Sequence, residues 1–293
     1  MKAASNGAAD GWSLRGKTCL VTGATSGIGE QIALGLAREG ARVALVGRTR
    51  ERGEASAERI RRESGSSEVE LLLADLASQA EVRSLAERVL VRFPSLHVLV
   101  NNAGIANLRR ETTADGLEAT FAVNHLAYFQ LTLLLLERLR ASAPARVVNV
   151  SSDAHKFGRL DFGDLQSERR YRGMKVYGRS KTANILFTRE LARRLEGSGV
   201  TVNCLHPGAV ATRLGQQNGA FARVLTGVLR PFFRTPAQGA DTAVWLASDP
   251  ALEGATGGYY YSRRERQPAA HARDAASAAR LFDVSAGLVG LEG

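Results

Sequence analysis

Short apolar runs alternate along this chain with longer segments in which hydrophobic residues recur at helical spacing. The first apolar run covers residues 17–22, and a helical pattern over residues 30–38 follows it after a glycine-rich stretch. A continuous apolar run is typical of a strand buried on both faces, and strands that alternate with helices indicate a parallel sheet. Further apolar runs predict strands at residues 41–46, 69–74, 98–100, 146–150, 200–205 and 258–261. We therefore predict an α/β fold with a single doubly wound parallel sheet, Rossmann-like, and helices on both faces.

The segments between these runs predict the helices and the limits of the domain. Ser78 is a candidate N-cap, and residues 209–235 are the least regular stretch, either a loop over a substrate or an ordinary amphipathic helix pair. Residues 1–15 have little to bury and are expected to form a disordered arm, which leaves residues 16–293 as one domain. Helices are predicted at residues 50–63, 78–92, 114–140, 174–196, 236–247 and 269–288.

Composition and charge exclude several classes of protein. Of the 293 residues, 44% are hydrophobic, which is enough for a large core and excludes a disordered or fibrous chain. The net charge of +10 comes from scattered arginines, so surface arginine is favoured over a specific nucleic-acid partner. No apolar run is long enough to span a membrane. Cys19 and Cys204 lie in apolar runs and are predicted to be buried thiols, which indicates a reducing, cytoplasmic location.

The glycine-rich stretch between the first strand and the first helix has the features of a phosphate-binding turn. Gly23, Gly27 and Gly29 have the spacing Gly-x-x-x-Gly-x-Gly. Backbone amides at a helix N-terminus attract an anion, and larger side chains would block its approach. A simple loop is the alternative, but the strand before and the helix after favour dinucleotide binding. The predicted cofactor contacts in this turn are Gly23, Thr25, Ser26, Gly27, Ile28 and Gly29.

The end of the second predicted strand decides between the two nicotinamide cofactors. In a dinucleotide-binding unit this position faces the adenosine ribose, where a carboxylate binds the 2′-hydroxyl and an arginine accommodates a 2′-phosphate. This chain has Gly47 followed by Arg48. We therefore predict that NADP(H) is preferred over NAD(H), with Arg48 as the phosphate ligand; the alternative is that Arg48 is one of many surface arginines.

Polar residues also follow the other predicted strands, where ligands of such a sheet bind. Asp75 follows the third strand, Asn101 the fourth and Ser152 the fifth. Asn101 either faces the ligand or ties strand ends together. Asn124 stands among apolar residues of a helical pattern, so it is either a satisfied core amide or a group that distorts the helix and fixes a water. No metal site is predicted.

Tyr177 and Lys181 are the candidate proton-transfer pair. Because they are four residues apart on a predicted helix, they lie one turn apart on the same face. An ammonium beside a phenol favours the phenolate and brings the phenol's pKa down from about 10. Such a pair suits proton transfer to or from an alcohol or carbonyl oxygen. On a solvated helix face the same spacing is a common accident, so the prediction depends on the rest of the chain.

Together these motifs resemble the short-chain dehydrogenase/reductase superfamily, and within it the retinol-dehydrogenase-like branch. The resemblance runs from about residue 16 to residue 261 and includes Pro207 and Gly208 after the sixth strand. An insertion at residues 156–173, between Ser152 and Tyr177, is typical of that branch and borders the substrate pocket. The segments most similar to the branch are residues 120–126, 148–152, 180–187 and 280–285.

The resemblance implies a role for each member of a catalytic set. Tyr177 is the general acid/base, and Lys181 lowers the pKa of Tyr177 and holds the nicotinamide ribose. Ser152 orients the substrate oxygen, and Asn124 holds a water that links Lys181 to solvent. The implied cofactor contacts are completed by Asp75, Leu76, Asn102, Ala103, Gly104, Tyr177, Lys181, Pro207, Gly208, Val210 and Thr212.

These features predict an NADP(H)-dependent oxidoreductase that transfers a hydride between nicotinamide and an apolar carbonyl or alcohol substrate. The alternative is a sensor or regulatory protein that binds NADP(H) without turnover, although a sensor does not need Tyr177 as a proton donor. The resemblance also implies a homodimer or homotetramer formed through the long helices at residues 114–140 and 174–196. No apolar anchor precedes the first strand, so no membrane span is expected.

Overall fold

The computed structural model describes residues 12–210 and 234–291, which contain an eight-stranded sheet. The strands are β1 Thr18–Thr22, β2 Arg42–Gly47, β3 Val69–Leu73, β4 Val98–Asn101, β5 Ala145–Val150, β6 Val200–Leu205, β7 Tyr259–Tyr261 and β8 Arg264–Glu265. Their spatial order is β3-β2-β1-β4-β5-β6-β7-β8. Strands β1 to β7 are parallel, which confirms the predicted sheet, and β8 adds an unpredicted antiparallel edge. The chain reverses direction across the sheet between β1 and β4, where doubly wound sheets bind their ligands.

The helices lie close to their predicted positions, with two exceptions described below. They are α1 Gly27–Arg38, α2 Arg50–Ser64, α3 Gln79–Arg92, α4 Ala119–Phe121, α5 Ala127–Leu134, α6 Leu136–Ala141, α7 Gly173–Arg194, α8 Pro236–Ser248 and α9 Ala275–Leu288. A π-helical turn, Ala122–Leu126, joins α4 to α5. Short 3-10 helices occupy Asp153–Phe157, Pro250–Leu252 and Ala270–Ala272. Ser78 caps α3 as predicted, since its side chain accepts a hydrogen bond from the amide of Glu81.

Helices cover the sheet on both faces, and each face has its own hydrophobic core. Leu20 of β1 packs with α3, α5, α7 and α9, whereas Cys19 and Val21 pack on the opposite side with α1, α2 and α8. Successive residues of a strand point to opposite faces, so a strand with helices on both sides favours apolar residues at most positions. This is why the strands appear in the sequence as continuous apolar runs. Cys19 and Cys204 are buried free thiols, as predicted.

The described residues begin at Trp12, before the predicted domain boundary at residue 16. Trp12 and Leu14 are both buried, and the Trp12 indole donates a hydrogen bond to the Ala247 carbonyl at 2.8 Å. The Arg146 guanidinium stacks on the Trp12 ring, 4.2 Å from its centroid. The prediction of a disordered arm is therefore wrong for residues 12–15, because one tryptophan supplies the buried area that the small residues around it lack. Residues 1–11 lie outside the described residues.

The predicted helix at residues 114–140 is shorter and less regular than expected. Thr112 and Glu118 form an isolated β-bridge, and α4 begins only at Ala119, where the buried Glu118 carboxylate accepts hydrogen bonds from the first helical amides. The π-helical turn that follows contains Asn124, in agreement with the predicted distortion. The tail predicted as one helix over residues 269–288 is also divided, since Asp274 caps α9 and the 3-10 helix precedes it.

The C-terminal helix α9 covers the outer faces of α5 and α7. Phe282 packs against Phe129, with ring centroids 4.9 Å apart, and lies 6.4 Å from Phe187. The Arg194 guanidinium covers the other side of Phe282 at 3.7 Å from the ring centroid. The long helices were expected to form a subunit interface, but these parts of α5 and α7 already contact the chain's own C-terminus. A homodimer or homotetramer remains a prediction, and its interface would have to avoid this area.

We expect Phe282→Ala to reduce the free energy of unfolding by about 3–5 kcal/mol. Phe282 is buried between three helices, so its removal leaves a cavity that rigid neighbours cannot fill. Urea denaturation followed by circular dichroism measures the effect, with Asp283→Ala as the control because Asp283 is exposed on the same helix. A loss below 1 kcal/mol would show that α9 is not part of the cooperative core.

Candidate active site

The turn between β1 and α1 is held against the end of β4 without room for side chains. Gly23 has a positive φ of 64°, and a Cβ added to it would lie 2.7 Å from the Cα of Ala103. A Cβ added to Gly29 would lie 2.3 Å from Nδ2 of Asn102. The Asn102 side chain donates hydrogen bonds to the carbonyls of Thr22 at 2.9 Å and Gly23 at 3.3 Å. Asn102 was predicted as a cofactor contact, and its side chain stabilises the turn through hydrogen bonds to the turn backbone.

The N-terminus of α1 fits the diphosphate of a dinucleotide. The helix begins at Gly27, and Ser26, the residue before it, makes no side-chain capping hydrogen bond. The amides of a first helical turn have no partner within the helix, so they remain available to an anion. Farther along the crevice, a Cβ added to Gly104 would lie 3.4 Å from Oδ1 of Asn124 and 3.6 Å from Nζ of Lys181. A side chain at position 104 would therefore fill the space above Lys181.

The end of β2 carries an exposed arginine and is crowded by Thr25. Arg48 is exposed, and the structure places it directly after the last residue of β2. A Cβ added to Gly47 would lie 2.3 Å from Cγ2 of Thr25. An acidic residue at position 47, as in an NAD-specific site, would therefore require Thr25 to move.

The residues at the ends of β3 and β4 differ in burial: Asp75 is partly exposed, whereas Leu76 and Asn101 are buried. Asp75 is half-buried, and its carboxylate accepts a hydrogen bond from the Ala77 amide at 3.0 Å, which forms the turn leading into α3. Leu76 is buried beside it. Asn101 is fully buried, and its amide nitrogen donates to Thr132 and to Asn149, each at 2.9 Å. For Asn101 the structure supports the alternative in which the side chain ties strand ends together.

Residues after β6 approach the glycine turn from the other side. Gly208 has a φ of 84°, and the Arg234 guanidinium donates to the Pro207 carbonyl at 3.5 Å. Val210 lies near the start of α1, since a Cβ added to Gly239 would contact both Val210 at 2.8 Å and Ile28 at 3.3 Å. Thr212 and most of the predicted substrate loop lie outside the described residues.

Ser152, Tyr177 and Lys181 meet where β5 ends against α7. Ser152 lies beside the Tyr177 phenol, since side-chain hydrogen bonding by Ser152 lowers the pKa of that phenol. Lys181 is buried, with its ammonium 5.6 Å from the Tyr177 ring centroid and 5.6 Å from that of Tyr128. The same ammonium donates to the Val150 carbonyl at 3.0 Å. Of the three residues predicted at the reacting centre, Ser152 and Lys181 therefore each lie beside Tyr177.

Burial controls the electrostatics of this group. It raises the pKa of the Tyr177 phenol, and the hydrogen bond with Ser152 lowers it. Burial also lowers the pKa of Lys181 to about 7. The lowering of the phenol's pKa by Lys181 stays a prediction; the Lys181 ammonium lies 5.6 Å from the centroid of the Tyr177 ring. Ser152 is the neighbour that favours the ionised phenol.

Asn124 lies on the π-helical turn and joins two parts of the site. Its Oδ1 accepts from the Ile105 amide at 2.8 Å, and its Nδ2 donates to the Ile105 carbonyl at 2.9 Å and to Ser180 at 3.0 Å. The side chain thus ties the loop after β4 to α7, one residue before Lys181. Its role in holding a water remains a prediction.

Tyr128 and His155 support the site but were not identified from the sequence. Tyr128 is buried and donates to the Ala103 carbonyl at 2.7 Å, which fixes the loop opposite Lys181. His155 is buried three residues after Ser152, with its Nδ1 2.8 Å from the Ser152 carbonyl. For Tyr128, a polar group among apolar residues one helical turn after Asn124 was an available signal. The sequence neighbours of His155, which include Asp153 and Lys156, gave no such signal.

These observations define a class, the nicotinamide-dependent oxidoreductases that use a Ser-Tyr-Lys set on a doubly wound sheet. The chain belongs to the short chain dehydrogenase family, whose profile matches residues 17–222. Retinol dehydrogenase 12 of Mus musculus is 44% identical over 277 residues, covering 94% of this chain and 87% of the relative. Retinol dehydrogenase 14 of Homo sapiens is 45% identical over 294 residues, covering 95% and 88%. The chain is therefore an oxidoreductase of the retinol-dehydrogenase-like branch that acts on CH–OH or C=O groups with NAD(P).

Solved structures agree with this assignment. An uncharacterized protein from Mycobacterium paratuberculosis superposes with a TM-score of 0.79 at 34% identity, covering 97% of each chain. The RhlG/NADP complex from Pseudomonas aeruginosa superposes with a TM-score of 0.68 at 32% identity, covering 84% of this chain and 94% of RhlG. Within residues 12–210 and 234–291, no helix has the length and apolarity needed to cross a bilayer. The same residues contain no cluster of side chains that could hold a metal ion.

Proposed function

We propose that this protein is an NADP(H)-dependent oxidoreductase for apolar aldehydes, ketones or alcohols. The contact between the Ser152 hydroxyl and the buried Tyr177 phenol, beside a glycine-lined crevice, is the observation that carries the proposal. A sensor of NADP(H) would need the crevice but not a phenol aligned by a serine. The proposal therefore favours turnover over sensing.

The chain's residues supply the proton and the orientation. The chemistry that a bound nicotinamide would supply is the transfer of a hydride to the carbonyl carbon or from the alcohol carbon. In reduction, Tyr177 gives its phenolic proton to the substrate oxygen as that oxygen gains charge, and in oxidation it takes the proton back. Ser152 donates a hydrogen bond that orients the same oxygen. Lys181 lies beneath the phenol and stabilises the phenolate that remains after the proton has left.

The surroundings of Tyr177 favour an apolar substrate. Ala106 and Ala154 form a small apolar cluster with the phenol ring. Two exposed apolar side chains stand nearby in the chain. Phe157 lies on the 3-10 helix that contains Ala154, and Met174 lies at the start of α7, three residues before Tyr177. Retinol, which appears in the names of the relatives, is itself an apolar alcohol. We propose this substrate class, without selecting one member of it.

A substrate screen tests the proposed function. The decrease of NADPH absorbance is followed with retinal, medium-chain and aromatic aldehydes, and apolar ketones, and with glyceraldehyde as a polar control. We expect several apolar carbonyls to be reduced with a lower KM than glyceraldehyde. The sensor would instead be supported if NADPH bound tightly but the protein neither reduced any carbonyl nor oxidised any alcohol with NADP⁺.

We expect Arg48→Ala to weaken NADPH binding by about 10- to 100-fold while changing NADH binding by less than about threefold. Arg48 is exposed at the end of β2 beside Gly47, where it would form a charge-assisted hydrogen bond with the 2′-phosphate. Fluorescence titration with both cofactors measures the effect. Arg52→Ala, an exposed arginine on α2, is the control for the loss of one surface charge. Equal weakening of both cofactors would show that Arg48 does not contact the phosphate.

The proposed location is the cytoplasm. Cys19 and Cys204 are free and fully buried, and burial strongly raises the pKa of both thiols. Such thiols are inert and are typical of proteins from a reducing compartment.

A further inference from the structure

His155 connects the serine of the active site to two distant parts of the chain. It lies on the 3-10 helix Asp153–Phe157 and is fully buried. The Ser152 carbonyl accepts hydrogen bonds from the backbone amide of His155 at 3.2 Å and from its imidazole Nδ1 at 2.8 Å. The His155 carbonyl in turn accepts from Thr182 at 3.1 Å and lies 2.9 Å from Nε2 of His271. Thr182 is the residue after Lys181, so His155 contacts both sides of the reacting centre.

The backbone determines which nitrogen of His155 carries the proton. The Ala269 amide donates to Nε2 at 3.1 Å, and because an amide N–H can only donate, Nε2 must be the unprotonated acceptor. The proton of the neutral ring is therefore on Nδ1, where it is donated to the Ser152 carbonyl. The Tyr259 hydroxyl is farther from Nδ1, at 3.4 Å, and its ring packs edge-on against the imidazole.

Burial keeps the His155 ring neutral at neutral pH. Burial lowers the pKa of His155, and His271 and Lys156 lower it further. The hydrogen bond to the Ser152 carbonyl and the charge of Asp153 raise the pKa, but burial is the largest effect. A neutral ring can accept from the Ala269 amide and donate to Ser152 at the same time, whereas a protonated ring cannot accept.

We propose that His155 is a positioning residue for the reaction: its Nδ1–H holds the Ser152 carbonyl so that the Ser152 hydroxyl stays against Tyr177, and the C-terminal segment at Ala269 fixes the imidazole. Ser152 is the last residue before the 3-10 helix, and its hydroxyl also accepts from the Ala154 amide at 3.2 Å, so its backbone orientation decides where the hydroxyl points. The sequence separation of 114 residues between His155 and Ala269 makes the C-terminus part of the active-site support. This inference rests on the proposed oxidoreductase function.

Two amide substitutions separate the two hydrogen bonds of the imidazole. In His155→Asn, the side-chain nitrogen occupies the position of Nδ1 and can still donate to the Ser152 carbonyl, but it does not reach the Ala269 amide. In His155→Gln, the longer side chain offers its oxygen to the Ala269 amide at the position of Nε2 and loses the bond to Ser152. We expect kcat of His155→Asn to stay within about threefold of the native enzyme and kcat of His155→Gln to fall by about 10- to 100-fold.

Three measurements distinguish positioning from general stability. Thermal unfolding of both variants reports stability, NADPH titration reports cofactor binding, and kcat and KM are measured with the best carbonyl of the substrate screen. We expect NADPH affinity to be unchanged in both variants and the loss in His155→Gln to be in kcat. If kcat followed thermal stability, or if the asparagine variant were the slower one, the positioning role would be overturned.

The tautomer gives a readout that does not need turnover. In a ¹⁵N–¹H spectrum of the imidazole side chains, His155 should show a protonated Nδ1 and an unprotonated Nε2 at neutral pH. The chain has five histidines, so the signals that disappear in His155→Gln assign the residue. The opposite tautomer, or an imidazolium, would overturn the inference. An enzyme with the expected tautomer but no carbonyl turnover would contradict the proposed function and leave the geometry of His155 intact.

Discussion

Tyr177→Phe is expected to lower kcat by about 10²- to 10⁴-fold, the range that general acid/base catalysis contributes. The substitution removes one hydroxyl from a buried ring that packs with Ala106 and Ala154, so the shape of the site is retained. What is lost is the proton that the substrate oxygen receives in reduction, together with the hydrogen bond to Ser152. Steady-state NADPH oxidation with a carbonyl substrate measures the change, and fluorescence titration shows whether NADPH still binds.

The control for this experiment is Tyr261→Phe, which removes a phenol that stacks on His206 at a centroid distance of 4.1 Å. We expect that variant to keep most of its activity. If Tyr177→Phe retained more than a third of the native kcat, another group would have to supply the proton. Loss of NADPH binding in Tyr177→Phe would mean that the phenol serves the cofactor site and not the chemical step.

The fold was predictable because its physical cause repeats along the chain. A parallel sheet with helices on both faces favours strands that are apolar at most positions, and β1 to β6 show this pattern one after another. The same signal is weak for β8, which has two exposed residues at the sheet edge. It also fails near residue 114, where the start of α4 depends on the Glu118 carboxylate and not on a hydrophobic period.

The candidate site was predictable as a set of residue types but not as a set of contacts. The spacing of Tyr177 and Lys181 predicted one helical face, and α7 confirms the helix. No spacing predicts that Lys181 donates to Val150 or that His155 reaches Ala269, because these partners come from distant segments. The local picture of an ammonium beside a phenol was therefore incomplete, since burial lowers the pKa of the lysine as well.

The buried lysine also predicts a conflict between stability and function. An ammonium has three donors, and in the described residues Lys181 donates to one protein oxygen, the Val150 carbonyl. Taking a charge out of water without a carboxylate partner costs free energy, and the lowered pKa of Lys181 expresses that cost. We therefore expect Lys181 to serve catalysis and not the stability of the fold.

Lys181→Met is therefore expected to abolish most activity and yet to raise the free energy of unfolding by about 2–4 kcal/mol at pH 6. The pKa of Lys181 is about 7 in the folded protein and 10.5 in its ordinary state, so between these values the unfolded chain binds more protons. Wild-type stability accordingly rises as pH increases from 7 to 10.5, while below pH 7 the full penalty applies. Methionine carries no charge, so the advantage of the variant should be largest at pH 6 and should shrink towards pH 10.

Urea denaturation of both proteins at pH 6, 8 and 9.5 measures this pattern, and Lys175→Met provides the control because Lys175 is exposed on the same helix. The control should alter stability by less than about 0.5 kcal/mol at each pH. A Lys181→Met protein that is less stable than the native protein at pH 6, or an advantage that does not shrink as pH rises, would mean that the ammonium is well solvated in the folded state. In that case Lys181 would keep its charge at neutral pH, and the phenolate left by Tyr177 would be stabilised by a full positive charge.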